Sequence, residues 1–234
     1  MKNILMNIEM TKAILDDIKN QTRRAVVKFY DLSLAEPKKH PLEYKDMPED
    51  LEFKNFQGFD KLCSVFYSKK EDKHYCSDNV KYNKGETIWV REPAKVISIN
   101  YGLDIDKMTF EYRADSKIKE IIIPDRMNEN IFNYPKWITS CQGIPNGCIK
   151  EMARIFLKIT NIRVERLQNI SWEDAKAEGG RVTYNNSDRC PETGMPASEY
   201  ETNFINIWNK TAPKGYKWED NPYVFVYEFE KVEK

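Results

Sequence analysis

Residues Ile14 to Arg24 combine a short apolar pattern with a cluster of side chains that could do chemistry. Ile14, Leu15 and Ile18 are one and four residues apart, a spacing that places them on one face of a helix. A dense polar cluster follows, with no apolar residue inside it: Lys19, Gln21, Thr22, Arg23 and Arg24. A helix that ends in this cluster would bring an amine, a hydroxyl and two guanidinium groups into one small volume. The alternative is that these side chains are only solvated beyond a helix end.

The charges of the chain balance, because 37 lysines and arginines oppose 37 aspartates and glutamates among 234 residues. Any attraction for nucleic acid must therefore come from a local patch and not from a global field. No apolar run approaches the roughly 20 residues that a membrane span needs. The five cysteines are odd in number and irregularly spaced, which is typical of reduced thiols. We predict a cytoplasmic protein that does not bind membranes.

Cys63, His74 and Cys76 lie close enough in the sequence to form a structural zinc site with a further cysteine, which is the alternative to a chain without metal. The candidates are Cys63, His74, Cys76, Cys141, Cys148 and Cys190. The paired Cys-x-x-Cys knuckles of zinc ribbons are absent, and so are a phosphate-binding glycine-rich loop and a His-Glu-x-x-His motif. With only His40 and His74, a histidine-based catalytic triad is not expected. We predict no metal and no cofactor.

Alternating apolar residues predict that strands dominate the chain. The clearest pattern lies near the C-terminus, where aromatic residues from Tyr223 to Phe229 would form a buried face while the opposite face turns polar. Thr87 to Arg91 is a second clear strand, since Gly85 offers a turn before it and Pro93 ends it. Further strands are predicted at 25–27, 109–114 and 153–164, the last with a bulge near Thr160, and a short apolar stretch lies at 121–123.

Helices are predicted in two later segments. Ser171 to Asp174 has the spacing of a capping box, and the helix that it opens would end at Gly179 and Gly180. Tyr200, Phe204, Ile207 and Trp208 have the offsets of a second helix. Residues 181–197, rich in proline and glycine, are predicted to form a loop.

The predicted fold class is therefore α+β, with a small closed or half-closed β-barrel and peripheral helices. We expect one domain over residues 1–234. Prolines and charges interrupt the pattern at about 31–80, which predicts an irregular insertion with a hairpin near Cys63 to Tyr67.

Four segments of the chain resemble phage and prophage proteins that carry an ASCH domain, whose barrel is similar to the PUA domain of RNA-modifying enzymes. They are 14–24, 85–93, 154–178 and 218–229. The matching motifs are Lys19-x-x-Thr22-x-Arg24, Gly85-Glu-Thr-Ile-Trp-Val-Arg-Glu92, Tyr112-Arg-Ala-Asp115, Arg163-Val-Glu-Arg-Leu-Gln168 and Trp218-Glu-x-Asn-Pro-Tyr-Val-Phe-Val-Tyr-Glu-Phe229. They cover roughly a third of the residues, in the order found in the family. The resemblance implies the PUA-like fold.

One branch of this family removes the acetyl group from N(4)-acetylcytidine with a lysine, a threonine and a glutamate. The resemblance carries these roles onto Lys19, Thr22 and Glu178, the last of which follows Ala175 by three residues. The family usually has a glycine where this chain has Asp17, although aspartate tolerates left-handed backbone geometry better than most residues. The insertion at about 31–80 has no counterpart in the small hydrolases.

Amide hydrolysis needs a nucleophile, a base and a donor for the oxyanion. Thr22 would supply the hydroxyl. Lys19 would act as the base if burial and the neighbouring arginines lowered its pKa. Glu178 would orient the lysine or a water and return a proton to the leaving amine. The alternative for Glu178 is that of an ordinary residue in the last turn of a helix.

Five further residues are candidates for substrate binding. Arg23 and Arg24 would suit a phosphate or a base edge, and Trp89 or Tyr112 would stack on a nucleobase. Glu92, at a strand end, is a spare carboxylate. The alternative for the tryptophans is the core. Arg163, Glu165 and Arg166 are predicted to form a solvated face, with a shared nucleic-acid surface as the alternative.

Two functions therefore stay open. The first is a PUA-like module that binds RNA or a modified nucleotide in a cleft lined by Lys19, Thr22, Arg24 and Glu178. The second is an amidohydrolase that acts on N(4)-acetylcytidine or a similar modified nucleoside. A third possibility is a phage protein that acts on a host protein partner through its insertion.

Overall fold

Strands make up most of the regular structure in the computed structural model, which describes residues 1–54, 64–77, 80–102, 105–124, 143–144, 147–180 and 197–233. The strands within these ranges are β1 (Asn3–Leu5), β2 (Gln21–Ala25), β3 (Tyr30–Asp31), β4 (Leu51–Lys54), β5 (Ser64–Ser68), β6 (Lys73–Ser77), β7 (Thr87–Arg91), β8 (Ala94–Asn100), β9 (Lys107–Tyr112), β10 (Ile118–Ile122), β11 (Phe156–Arg166) and β12 (Tyr223–Val232). The α-helices are α1 (Ile8–Leu15), α2 (Trp172–Ala177) and α3 (Ala197–Thr211). The fold is α+β. No sheet closes into a barrel within the ranges given above.

The chain divides into two compact units. The first unit comprises Met1–Ile18, Thr87–Lys158 and Glu230–Lys234, and the second comprises Lys19–Glu86 and Ile159–Phe229. The expectation of a single domain over residues 1–234 stays a prediction.

The first unit is built from two groups of strands around one core. β1 runs parallel to β7, which pairs antiparallel with Phe156–Lys158 at the start of β11. β8, β9 and β10 form an antiparallel sheet with a register shift between Val96 and Ser98. The buried side chains that pack together here are Trp89, Ala94, Val96, Met108, Phe110, Tyr112, Ile123, Ile144, Cys148, Met152 and Phe156.

The second unit is organised around β12, which is buried on both faces from Tyr223 to Tyr227. Val224 and Val226 pack with buried residues of α2 and α3. The aromatic residues on the opposite face contact other rings, as Phe225 contacts Phe66 at 6.3 Å and Tyr227 contacts Tyr82 at 5.1 Å between ring centroids. The predicted polar face therefore begins only at Glu228, because two helices cover the earlier residues.

The segment at about 31–80 contributes an antiparallel sheet in the order β3-β6-β5-β4. β5 and β6 form a hairpin close to the predicted one. The rings of Phe29 and Phe66 lie 5.3 Å apart, so this sheet packs on the aromatic side of β12 through shared ring contacts.

The helix predicted to carry the polar cluster ends earlier than expected. α1 begins after Asn7, whose side chain accepts a hydrogen bond from the Met10 amide, and it ends at Leu15. Asp17 then adopts a left-handed conformation with φ of +56°. The polar residues from Gln21 onward belong to β2, which pairs with β12 along its full length, while Lys19 precedes the strand. A complete ladder of strand hydrogen bonds outweighs the helical tendency of this stretch.

Several other sequence predictions are confirmed. β7 has the predicted bounds, and α3 covers the predicted second helix. In α2 the Ser171 hydroxyl accepts from the Asp174 amide at 3.2 Å, which is the N-cap half of the predicted capping box. Gly179 follows α2 with φ of +94°, the left-handed geometry expected of a helix terminator. Of the loop predicted at 181–197, residues 181–196 lie outside the described residues, and Ala197 begins α3. No helix in the described part of the chain is long and apolar enough to cross a membrane.

Two glycines with similar backbone conformations differ in the space around them. Gly147 has φ of +79°, and a Cβ there would lie 2.9 Å from the Arg91 carbonyl oxygen. Gly85 has φ of +83°, and a Cβ there would meet nothing within 4 Å.

We expect Gly147→Ala to lower the free energy of unfolding by about 2 to 4 kcal/mol, because backbone strain adds to the clash. Gly85→Ala should cost about 1 kcal/mol from strain alone. Urea unfolding of both variants measures the difference, and equal losses would contradict the packing described for Gly147.

Candidate functional site

The Lys19 amine meets Glu178, although 159 positions separate the two residues. Its Nζ donates to Oε2 of Glu178 at 2.7 Å and to the backbone oxygen of the same residue at 2.7 Å. The side chain of Lys19 is fully buried, and that of Glu178 is 6% exposed. The structure therefore brings together two of the three residues predicted to be catalytic.

Backbone contacts on both sides hold this ion pair in place. Glu178 is the residue that caps the C-terminal end of α2. The amide of Asn20 donates to the Ala177 carbonyl at 3.0 Å, and the Asn20 carbonyl accepts from the Phe229 amide at 2.8 Å. Lys19 thus precedes a residue that is fixed between the end of α2 and β12.

Arg23 is also buried and contacts three carboxylates. Its Nη1 donates to Oε1 of Glu178 at 3.1 Å, and its Nη2 donates to Asp174 and to Glu165 at 2.6 Å each. Its Nε donates to the same oxygen of Glu165 at 3.1 Å. A phosphate-binding role would require an accessible guanidinium group, whereas this one is enclosed by protein groups.

Arg163 extends this arrangement across neighbouring elements. It donates to Asp174, Glu165 and Glu228, and Gln21 donates to the Asp174 carbonyl. We refer to the connected side chains as the ionic network, which consists of Lys19, Arg23, Arg163, Glu165, Asp174, Glu178 and Glu228. It lies entirely within the second unit.

The sequence reasoning missed Asp174 and assigned Arg163 and Glu165 to a solvated face. Their side chains are in fact part of the network, with exposed fractions of 31% for Arg163 and 18% for Glu165. One signal was available. Arg163 and Glu165 are two residues apart in β11 and therefore lie on the same face of the strand, where they present charges of both signs to the neighbouring elements.

Burial and neighbouring charges act in opposite directions on the protonation of these groups. Burial lowers the pKa of Lys19, and the like charges of Arg24 and Arg23 lower it further. Contact with Glu178 raises the pKa but does not outweigh these effects, so the pKa of Lys19 is lowered. Burial alone would lower the pKa of Arg23, but its carboxylate partners outweigh it and keep the guanidinium charged. Of these two buried cations, Lys19 is therefore the one that loses its proton more easily.

Thr22 and Arg24 lie on the other face of β2 because residues alternate along a strand. Thr22 is opposite Tyr227 in the ladder, and Arg24 is opposite Phe225. Thr22 is 1% exposed, while Arg24 is partly exposed. Among the described residues, no hydrogen bond joins the Thr22 hydroxyl to the Lys19–Glu178 pair.

The predicted binding residues Trp89, Glu92 and Tyr112 belong to the first unit. Trp89 and Tyr112 are buried in its core. Glu92 is completely buried and accepts two hydrogen bonds from Arg154, each 2.8 Å long. The same guanidinium lies 3.7 Å from the centre of the Tyr112 ring and donates to Asp115. Glu92 and Tyr112, which belong to two of the sequence motifs, therefore form an ion pair and a packing contact with Arg154.

No group of three metal-binding side chains occurs within the described ranges. Cys76 and Cys148 are buried, and burial raises the pKa of the Cys148 thiol to about 11, so that it stays protonated near neutral pH. Cys63, Cys141 and Cys190 lie outside the described residues.

The stability of the protein should depend on the ionisation of Asp174. Burial disfavours its charge, but Arg23 and Arg163 outweigh burial and hold its pKa below the ordinary value. This stabilisation is therefore present above the unfolded-state pKa of about 3.9 and is lost as the pH falls through the folded-state value. Asp174→Asn should lower the free energy of unfolding near neutral pH and should flatten its decline below about pH 4.

Urea unfolding at a series of pH values measures this effect. The control is Glu36→Gln, which removes a carboxylate from an exposed pair with Lys39 and should change stability little. Parallel declines for the wild type and Asp174→Asn would contradict the role given to Asp174.

Comparison with known proteins gives no match to this chain among protein-family models, curated proteins or solved structures. The functional interpretation therefore rests on the sequence motifs and on the geometry of the second unit.

Proposed function

We propose that this chain is an ASCH-type, PUA-like module that binds RNA or a modified nucleoside in a cleft lined by Lys19, Thr22, Arg24 and Glu178. The observation that carries this proposal is the buried contact of 2.7 Å between the Lys19 amine and the Glu178 carboxylate. It joins two residues that the motifs had indicated independently of any structure.

A buried ion pair is a weak means of stabilising a fold. Removing two charges from water costs several kcal/mol for each ion, and hydrocarbon side chains of similar volume often serve stability equally well. A buried lysine with a lowered pKa beside a carboxylate is, in contrast, typical of functional sites. The pair lies in a water-poor environment, where a hydrogen bond to a ligand would discriminate strongly between ligands.

Arg24 adds the feature that favours a nucleic-acid ligand. It is partly exposed and lies two residues after Thr22 in β2, so the two side chains are on the same face of the strand. Its positive charge acts on the Lys19 amine and on the phenol of Tyr227. A partly exposed guanidinium on the Thr22 face of β2, close enough to act on the Lys19 amine, suits a ligand that has both a base and a phosphate.

Binding can be tested by titrating the protein with a short single-stranded RNA that contains N(4)-acetylcytidine. We expect the affinity to fall several-fold between about 50 and 200 mM salt, because phosphate contacts release counterions. Arg24→Ala should weaken binding about tenfold, which corresponds to about 1.4 kcal/mol. The matched control is Lys95→Ala, which removes an exposed positive charge from β8 in the first unit. Binding that is absent, or that both variants weaken equally, would count against the proposal.

Amidohydrolysis is a second candidate, favoured by the lowered pKa of a lysine in direct contact with a carboxylate. The neutral amine of Lys19 would take the proton of the Thr22 hydroxyl as its oxygen attacks the acyl carbonyl. Collapse of the tetrahedral adduct would break the C–N bond, and the leaving amine would receive that proton. Water would then hydrolyse the acyl-threonine ester. This reaction requires the Thr22 hydroxyl to come within reach of the amine, which binding alone does not require.

Incubation with N(4)-acetylcytidine tests the reaction through the appearance of cytidine. Lys19→Ala and Thr22→Ala should each lower the rate by about a hundred to ten-thousand-fold, because they remove the base and the nucleophile. Thr22→Ser, which keeps the hydroxyl, should retain measurable turnover. Turnover that survives both alanine substitutions would contradict these roles, and binding without turnover would leave the binding module as the function.

A further inference from the structure

Arg23 occupies a variable position of the Lys19-x-x-Thr22-x-Arg24 motif, yet it is among the most buried charged residues of the second unit. We propose that Arg23 is the positioning residue of the site: it holds one oxygen of the Glu178 carboxylate and thereby presents the other to the Lys19 amine. Calling this pair a ligand site rests on the proposed function, whereas the effect of Arg23 on Lys19 does not.

The carboxylate of Glu178 is divided between two cations. Its Oε1 accepts from Arg23 at 3.1 Å, and its Oε2 accepts from Lys19 at 2.7 Å. Each oxygen therefore has its own buried donor, which fixes the rotation of the carboxylate group.

The guanidinium group that holds Glu178 is itself anchored at its other nitrogens. Glu165 on β11 accepts from Nε and Nη2, and Asp174 in α2 accepts from Nη2. Because a guanidinium group is planar and rigid, fixing two of its nitrogens also fixes the direction of Nη1. The orientation of Glu178 is thus set by two other carboxylates through Arg23.

This division also determines how strongly Lys19 holds its proton. The charged groups that act on the amine are Glu178 at the end of α2 and Arg23 and Arg24 on β2. Arg23 repels the ammonium form and competes for the same carboxylate, and both effects favour the neutral amine. Without Arg23, the whole carboxylate would serve Lys19, and its amine would lose its proton at a higher pH.

Arg163 provides a matched control for this effect. It contacts Asp174 and Glu165, as Arg23 does, and its third carboxylate is Glu228. Removing Arg163 therefore disturbs the ionic network without removing a hydrogen bond to Glu178.

The experiment is an NMR titration of the full chain labelled with 13C at the lysine ε-carbon, with the Lys19 signal assigned by its loss in Lys19→Met. We expect Arg23→Met to move the titration midpoint of Lys19 to a higher pH, and Arg163→Met to leave it near the wild-type position. An unchanged midpoint in Arg23→Met, or an equal rise in both variants, would overturn the proposal.

Arg23→Lys guards against a variant that does not fold, since Arg23→Met leaves buried carboxylates without their cation. Lysine keeps the charge but cannot bond Glu178, Glu165 and Asp174 with one planar group. We expect a smaller rise of the Lys19 midpoint in this variant, and no rise would again overturn the proposal. The titration uses no ligand, so failure of RNA or nucleoside binding would refute the proposed function while leaving the result for Arg23 to be judged by itself.

Discussion

The second unit depends on one buried carboxylate shared between two buried cations. Glu178 lies at the end of a short helix, and both of its oxygens are occupied by Lys19 and Arg23. Burying these charges is costly, and the cost is offset only while every partner is present. The positions of α2 and β2 in this unit are therefore linked through their side chains as well as through the backbone contact of Asn20 with Ala177.

Strand geometry decides what this interaction can do. Because Gln21–Ala25 is a strand, Arg23 faces the helices while Thr22 and Arg24 face the aromatic side of β12. One short segment thus supplies both a buried charged cluster and a partly exposed cation on its opposite face. A single helix would not have produced this separation with the same residues, since its faces repeat every three or four positions.

The fold and the site could be predicted from sequence wherever local signals were strong. β7 and α2 were predicted because a turn glycine, a capping serine and a terminal glycine mark their ends. Lys19 and Glu178 were predicted only from a resemblance in sequence. The extent of α1 could not be predicted, since pairing with β12 at the far end of the chain decides that the polar cluster is a strand. The role of Arg23 depends on which carboxylates this register brings to it, and no local pattern contains that information.

The buried Lys19–Glu178 pair is proposed to form part of a ligand site. A crystal structure of the protein soaked with N(4)-acetylcytidine tests this most directly. We predict electron density for the nucleoside with polar atoms within about 3.5 Å of the Lys19 amine or the Glu178 carboxylate. Density for the nucleoside elsewhere, with the pair still enclosed by protein atoms alone, would contradict it.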